Sequence, residues 1–96
     1  MSMFVLALEV DLHIGHAQSL KDKRGVIRSI VDGARHRFHV AAAEVGDENL
    51  WQRAQLGFAA VSNSQRHTTE VIDQVSRFVW SFPEIAVLDE ERTWLS

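Results

Sequence analysis

The sequence holds no cysteine, a single proline and no apolar run long enough to span a bilayer. Without thiols neither a disulfide framework nor a thiolate metal site can form, so the fold needs no oxidising compartment and the chain reads as cytoplasmic. The opening Met1-Ser2-Met3-Phe4-Val5 has no basic stretch ahead of its apolar residues, and Glu9 and Asp11 interrupt those residues early. It reads as neither signal nor anchor, and no membrane partner is expected. The spacings G-x-x-x-x-G-K-[ST], G-x-G-x-x-G and G-x-S-x-G are absent too, which removes phosphate-binding loops and nucleophile elbows. No cofactor is expected and no catalytic residue is assigned.

What remains is ordinary globular composition, 46% apolar and 24% charged over 96 residues, enough for one core and too little for two. Residues 1–96 are therefore read as one domain. A net charge of -3 argues against a protein that grips nucleic acid over its whole surface. The charge is unevenly spread, because Ser19 to Phe38 carries six Lys and Arg against Asp22 and Asp32.

Phe4, Leu6, Leu8, Val10 and Leu12 alternate with Val5, Ala7, Glu9, Asp11 and His13, the period of a half-buried strand. Ser19, followed three residues later by Asp22, resembles a capping box and opens a helix. At roughly 100° per residue, Leu20, Ile27, Ile30, Val31, Ala34 and Phe38 share one broad face of it, and Lys21, Arg24, Arg28 and Arg35 form a narrow stripe along that face's border. Gly25 and Gly33 fall on the outer side. His39–Val45 and Arg53–Ser62 read as strands joined through the turn Gly46-Asp47-Glu48-Asn49. Ser62-Asn63-Ser64 offers N-caps for a second helix with the apolar stripe Thr68, Val71, Ile72, Val75, Phe78, Val79 and Phe82, stopped by Pro83. A last strand lies within Glu84–Leu95.

The order is β-α-β-β-α-β, which predicts an α+β, ferredoxin-like fold: a four-stranded antiparallel sheet in the order 4-1-3-2 with two helices on one face. Pairing Glu44 with Arg53 across a four-residue turn would then divide the uncovered face in two. Val5, Ala7, Val40, Ala42, Ala59 and Val61 would make a small apolar end, the expected interface of a homodimer. Glu9, Asp11, Glu44, Arg53 and Gln55 would make a polar end. The Glu44 and Arg53 pair is read as a cross-strand ion pair in preference to an acid/base site.

The stripe supplies the candidate RNA-binding residues Lys21, Lys23, Arg24, Arg28 and Arg35, against a plain reading as a solvated helix flank with an internal Arg28–Asp32 pair. Leu56-Gly57-Phe58-Ala59-Ala60-Val61 is a faint echo of the aromatic strand of RNA-recognition domains. It lacks a basic residue before Gly57 and a second ring, so Phe58 is expected in the core and the sheet is not expected to stack bases. Asp11, His13 and His16 form a D-x-H-x-x-H string too weak to assign a metal. His36, His39 and His67 are scattered. Trp51, just after the turn, and Trp80, opposite the second helix's apolar stripe, are candidates for partly exposed indoles.

Ser19-Leu20-Lys21-Asp22-Lys23-Arg24, Ala43-Glu44-Val45-Gly46-Asp47, Leu50-Trp51-Gln52-Arg53-Ala54 and Ala60-Val61-Ser62-Asn63 together resemble the YlxP-like family of bacterial proteins, also described as domain of unknown function 503. The resemblance implies the same ferredoxin-like fold and a setting among translation and ribosome-maturation factors, and it brings no assigned chemistry. Lys21, Lys23, Arg24, Glu44, Trp51, Gln52 and Arg53 are motif positions only. The reading favoured here is an RNA-associated accessory factor that docks on ribosomal RNA or a precursor particle through the first helix, with no DNA specificity. The alternatives are a dimeric protein-binding or structural module without RNA contact, and a small enzyme or ligand-binding domain using Glu44 and Arg53.

Overall fold

A computed structural model describes residues 2–96, leaving Met1 outside. The elements are β1 (Phe4–His13), α1 (Leu20–Phe38), β2 (Ala41–Gly46), β3 (Arg53–Ser62), α2 (Gln65–Trp80) and β4 (Ala86–Trp94). They build one antiparallel sheet in the order β2-β3-β1-β4. This is the expected order, since a chain that crosses over a sheet twice by helices returns each time beside a central strand.

Strand parity on β1 is as the alternation requires. Leu6, Leu8, Val10 and Leu12 are buried beneath the helices, while Val5, Ala7, Glu9 and Asp11 line the uncovered face. From α1, Ile27, Ile30, Val31 and Ala34 enter the core; from α2, Ile72, Val75 and Val79; from β3, Ala54, Leu56, Phe58 and Ala60. Phe58 therefore lies under the helices, away from any surface where a base could stack.

Local chemistry sets the helix starts. Ser19 Oγ accepts from the Asp22 N–H, and the Asp22 carboxylate accepts in turn from the Gln18 N–H, so two otherwise unpaired donors are satisfied. At α2, Ser64 Oγ accepts from the His67 N–H, and the buried Thr68 hydroxyl is held by Ser62 Oγ and the Ser64 carbonyl. Of the two glycines of α1 expected on its outer side, only Gly25 is there. Nothing lies near Gly25, whereas a Cβ on Gly33 would sit 2.6 Å from Phe78 Cζ, so Gly33 is where α2 packs closely against α1.

The β2–β3 register departs from the expected one. Glu44 lies opposite Leu56 and Gly46 opposite Gln55, with a bulge between, and the connection runs over residues 47–52. Against a Glu44–Arg53 pairing the shift is three residues. An odd shift turns every β2 side chain to the other face of the sheet. Val40 and Ala42, expected on the open face, are buried under the helices. Ala41, Ala43 and Val45 take their place outside. Gly57 leaves room for Val45, whose Cγ1 would stand 3.1 Å from a Cβ at that position.

Candidate functional site

The run Ser19–Arg24 divides its basic residues between two destinations. Lys23 is 1% exposed. Its ammonium donates to the Asp47 carbonyl at 2.6 Å and pairs with Glu44 Oε2 at 2.8 Å. Lys23 is thus a clamp between α1 and the 47–52 connection, unavailable to a phosphate, which corrects its place among the RNA-binding candidates. The helical wheel already carried the signal, because 100° per residue sets Lys23 on the arc of Ile27, Ile30 and Ala34. A buried Lys needs a carboxylate, and Glu44 faces the helices to supply one.

Glu44 and Arg53 accordingly do not meet. Glu44 shares the helix-facing side of its strand with Ala42, while Arg53 belongs to the open face and donates through Nη2 to both carboxylate oxygens of Asp11, at 3.0 and 2.8 Å. A catalytic or ligand-binding pair built from Glu44 and Arg53 loses its geometric basis. Arg53–Asp11 is a half-exposed diagonal cross-strand pair, worth tenths of a kcal/mol to about 1 kcal/mol. It also engages the carboxylate of the Asp11, His13, His16 string.

Lys21, Arg24 and Arg28 are exposed along one flank of α1. Asp32 pairs with Arg35 at 3.5 Å, not with Arg28. The Arg35 guanidinium also donates to the Ala42 carbonyl of the edge strand β2, which fixes this flank on the β2 side of the molecule. The chain has ten Lys and Arg. Among the described residues five of them stand in ion pairs, namely Lys23, Arg35, Arg53, Arg66 and Arg92. Three of the remaining five are Lys21, Arg24 and Arg28; a fourth, Arg37, lies over the Phe78 ring on the opposite flank.

At the start of that flank the 47–52 connection is tied to the approach to α1. Gln52 Nε2 donates to the carbonyls of Gly15 and Ala17, both at 3.2 Å, and Lys23 holds Asp47. Asp47 adopts φ 60°, and the Leu50 N–H closes back on its carbonyl. The outcome is an exposed tip of Leu50 and Trp51, the indole residue 54% exposed, at the same end of the molecule as Lys21. Trp80 is also exposed, but its Nε1 is held by Glu90 Oε2 at 3.0 Å.

The open face of the sheet has the opposite charge. Glu9 stands opposite Glu91 and Asp11 opposite Asp89 on neighbouring strands, and these four carboxylates with Val45 and Gln55 surround an open depression of about 280 Å³. Of the expected polar end, Glu9, Asp11, Arg53 and Gln55 are present and Glu44 is not. Asp89 and Glu91 were not foreseen, although a β4 strand antiparallel to β1 brings its alternating acids to that position. No group of three or more potential metal ligands assembles among the described residues, and none of their helices is long and apolar enough to cross a membrane.

Four antiparallel strands with two helices on one side make this a ferredoxin-like α+β protein. A de novo designed protein with a ferredoxin fold matches all of the chain and 87% of its own length, with a TM-score of 0.55 at 10% identity. The chain belongs to the family "Protein of unknown function (DUF503)", whose profile matches residues 5–92. The uncharacterized protein YlxP of Bacillus subtilis (strain 168) is 40% identical over 77 residues, which cover 80% of this chain and 84% of that relative.

Proposed function

We propose that the protein binds the phosphate backbone of a structured RNA, ribosomal RNA or a precursor particle being the expected class, through the outer flank of α1. The observation that carries this reading is the set of exposed cations Lys21, Arg24 and Arg28, without an ion pair among the described residues, in a chain whose other basic residues are mostly engaged. At 1.5 Å rise per residue the three charges fall within about 10 Å along the helix. Such a row attracts phosphate through counterion release, without reading sequence.

Trp51 adds a second kind of contact. An exposed indole at the end of a basic row offers a stacking surface for an unpaired base, and base–aromatic stacking is worth roughly 1–3 kcal/mol. The acidic open face repels phosphate, so RNA would approach from the α1 and β2 side. This differs from recognition on the sheet of RNA-recognition domains.

The test is binding of ribosomal RNA fragments by anisotropy over a salt series. Three phosphate contacts predict a log-log slope of about -2 to -3, at roughly 0.7–0.9 per contact. The folded variant Lys21→Glu, Arg24→Glu, Arg28→Glu is expected to lose the salt-dependent component, and Trp51 fluorescence is expected to quench in the wild type. Equal binding by both proteins, or none by either at low salt, would falsify the reading and leave an acidic protein surface as the partner of the flank.

A further inference from the structure

We propose that the apolar half of the open sheet face is covered by a second copy of the chain, turned about a two-fold axis that lies in the plane of the face and runs across the strands. The observation is a continuous apolar area at one end of the face. The register places Val61 opposite Val5, and just past the end of β4 the Leu95 N–H donates to the Val5 carbonyl while the Val5 N–H donates to the Ser96 carbonyl, so Val61, Val5 and Leu95 form a row across this end of the sheet. Beside it runs the row Ala41, Ala59, Ala7. Val61 and Leu95 are each 65% exposed, a state in which branched side chains on a smooth sheet gain most from being covered.

The acidic half of the same face selects the occupant's orientation. Full overlap about an axis along the strands would stack the two carboxylate clusters on each other, and full overlap about an axis across the strands would press carboxylates onto apolar groups. An axis across the strands between the Val61, Val5, Leu95 row and the Ala41, Ala59, Ala7 row overlaps only the apolar halves and carries the two carboxylate clusters to opposite outer ends. Each of the two rows then meets the other row of the partner, as a symmetric interface requires. Four strands about 4.8 Å apart and about six residues of length give a footprint on the order of 400 Å². That is roughly half of what a standard interface buries per partner, the size of a weak, reversible contact. The basic flanks of α1 stay outside the contact.

Sedimentation over a concentration series tests the association, and single cysteines placed in this cysteine-free chain test the axis. Wild type is expected to dimerise reversibly, and Val61→Asp, at an exposed position that folding does not need, to weaken the dimer by roughly tenfold or more. Ala7→Cys is expected to be joined to its own copy by a bifunctional thiol reagent of about 10 Å span, the usual spacing of stacked sheets, and Glu91→Cys to remain unjoined. A wild type that stays monomeric at several hundred micromolar overturns the proposal. So does a dimer indifferent to Val61→Asp, or preferential joining at Glu91→Cys.

Discussion

The flank of α1 and the open face of the sheet are both solvent-exposed, and they carry opposite charge for different structural reasons. On the helix, Lys21, Arg24 and Arg28 recur at helical spacing on one side, so like charges are gathered by the local geometry of a single element. On the sheet, Glu9 meets Glu91 and Asp11 meets Asp89 because two strands far apart in sequence pair in one register. The comparison shows how a chain with a net charge of only -3 can present a distinctly basic side and a distinctly acidic one. Total charge is therefore a poor guide to the charge of either surface.

Lys23 divides the two regions most sharply, since it belongs to the basic run and faces inward. Lys23→Ala strands Glu44 in a mostly buried site, and an unfolding free energy lower by about 3–5 kcal/mol is expected in denaturant melts. Lys23→Met with Glu44→Leu is expected to recover most of that loss and to keep RNA affinity unchanged. A double variant that folds well but binds RNA poorly would put Lys23 back on the binding flank.

The next largest effect is on the flank itself. Each of Lys21→Ala, Arg24→Ala and Arg28→Ala is expected to lower the salt slope of RNA binding by about one and to leave thermal stability nearly unchanged. Conversion of Glu9 and Glu91 to Gln is expected to leave that slope intact, because the proposed contact does not involve the open face. A slope that responds equally to both regions would erase the distinction.

A smaller contrast lies within α1. Gly25→Ala is expected to stabilise by up to about 1 kcal/mol through helix propensity alone. Gly33→Ala brings the same propensity and is expected to destabilise, because its Cβ must displace the Phe78 ring. Thermal melts of the two single variants give the comparison directly.

The smallest effect is electrostatic and local to the sheet. Glu91→Lys replaces a like-charge cross-strand pair with Glu9 by an opposite-charge one, and a gain of roughly 0.2–1 kcal/mol is expected. The gain is expected to shrink in about 1 M salt, where exposed charges are screened. A gain insensitive to salt would assign the effect to packing.

Much of this molecule was legible in the chain. Alternation from Phe4 to His13 and the stripe from Ile72 to Val79 reflect burial on one side of a regular element, which leaves its period in the sequence. The Ser19 and Asp22 box and the Ser64 cap are equally local. The exposed flank could be read too, because it is the geometry of one helix. The charge cluster on the open face was half legible, since Glu9 and Asp11 declare their side by parity but their partners Asp89 and Glu91 declare theirs only once β4 is paired.

The sequence by itself determined the element order, the faces of β1, β3 and both helices, and the basic flank, because each follows from dihedral geometry and hydrophobic period within a single segment. Only the tertiary structure decided the register of β2. A bulge at Val45 and a six-residue connection replace the tighter hairpin, and that odd shift sends Glu44 inward to Lys23, buries Val40 and Ala42, and exposes Ala41, Ala43 and Val45. No local rule sets that choice. It rests on a buried ammonium that must find a carboxylate and on an Ala42 side chain that fits beneath α1, contacts that exist only when helix and strand are packed together.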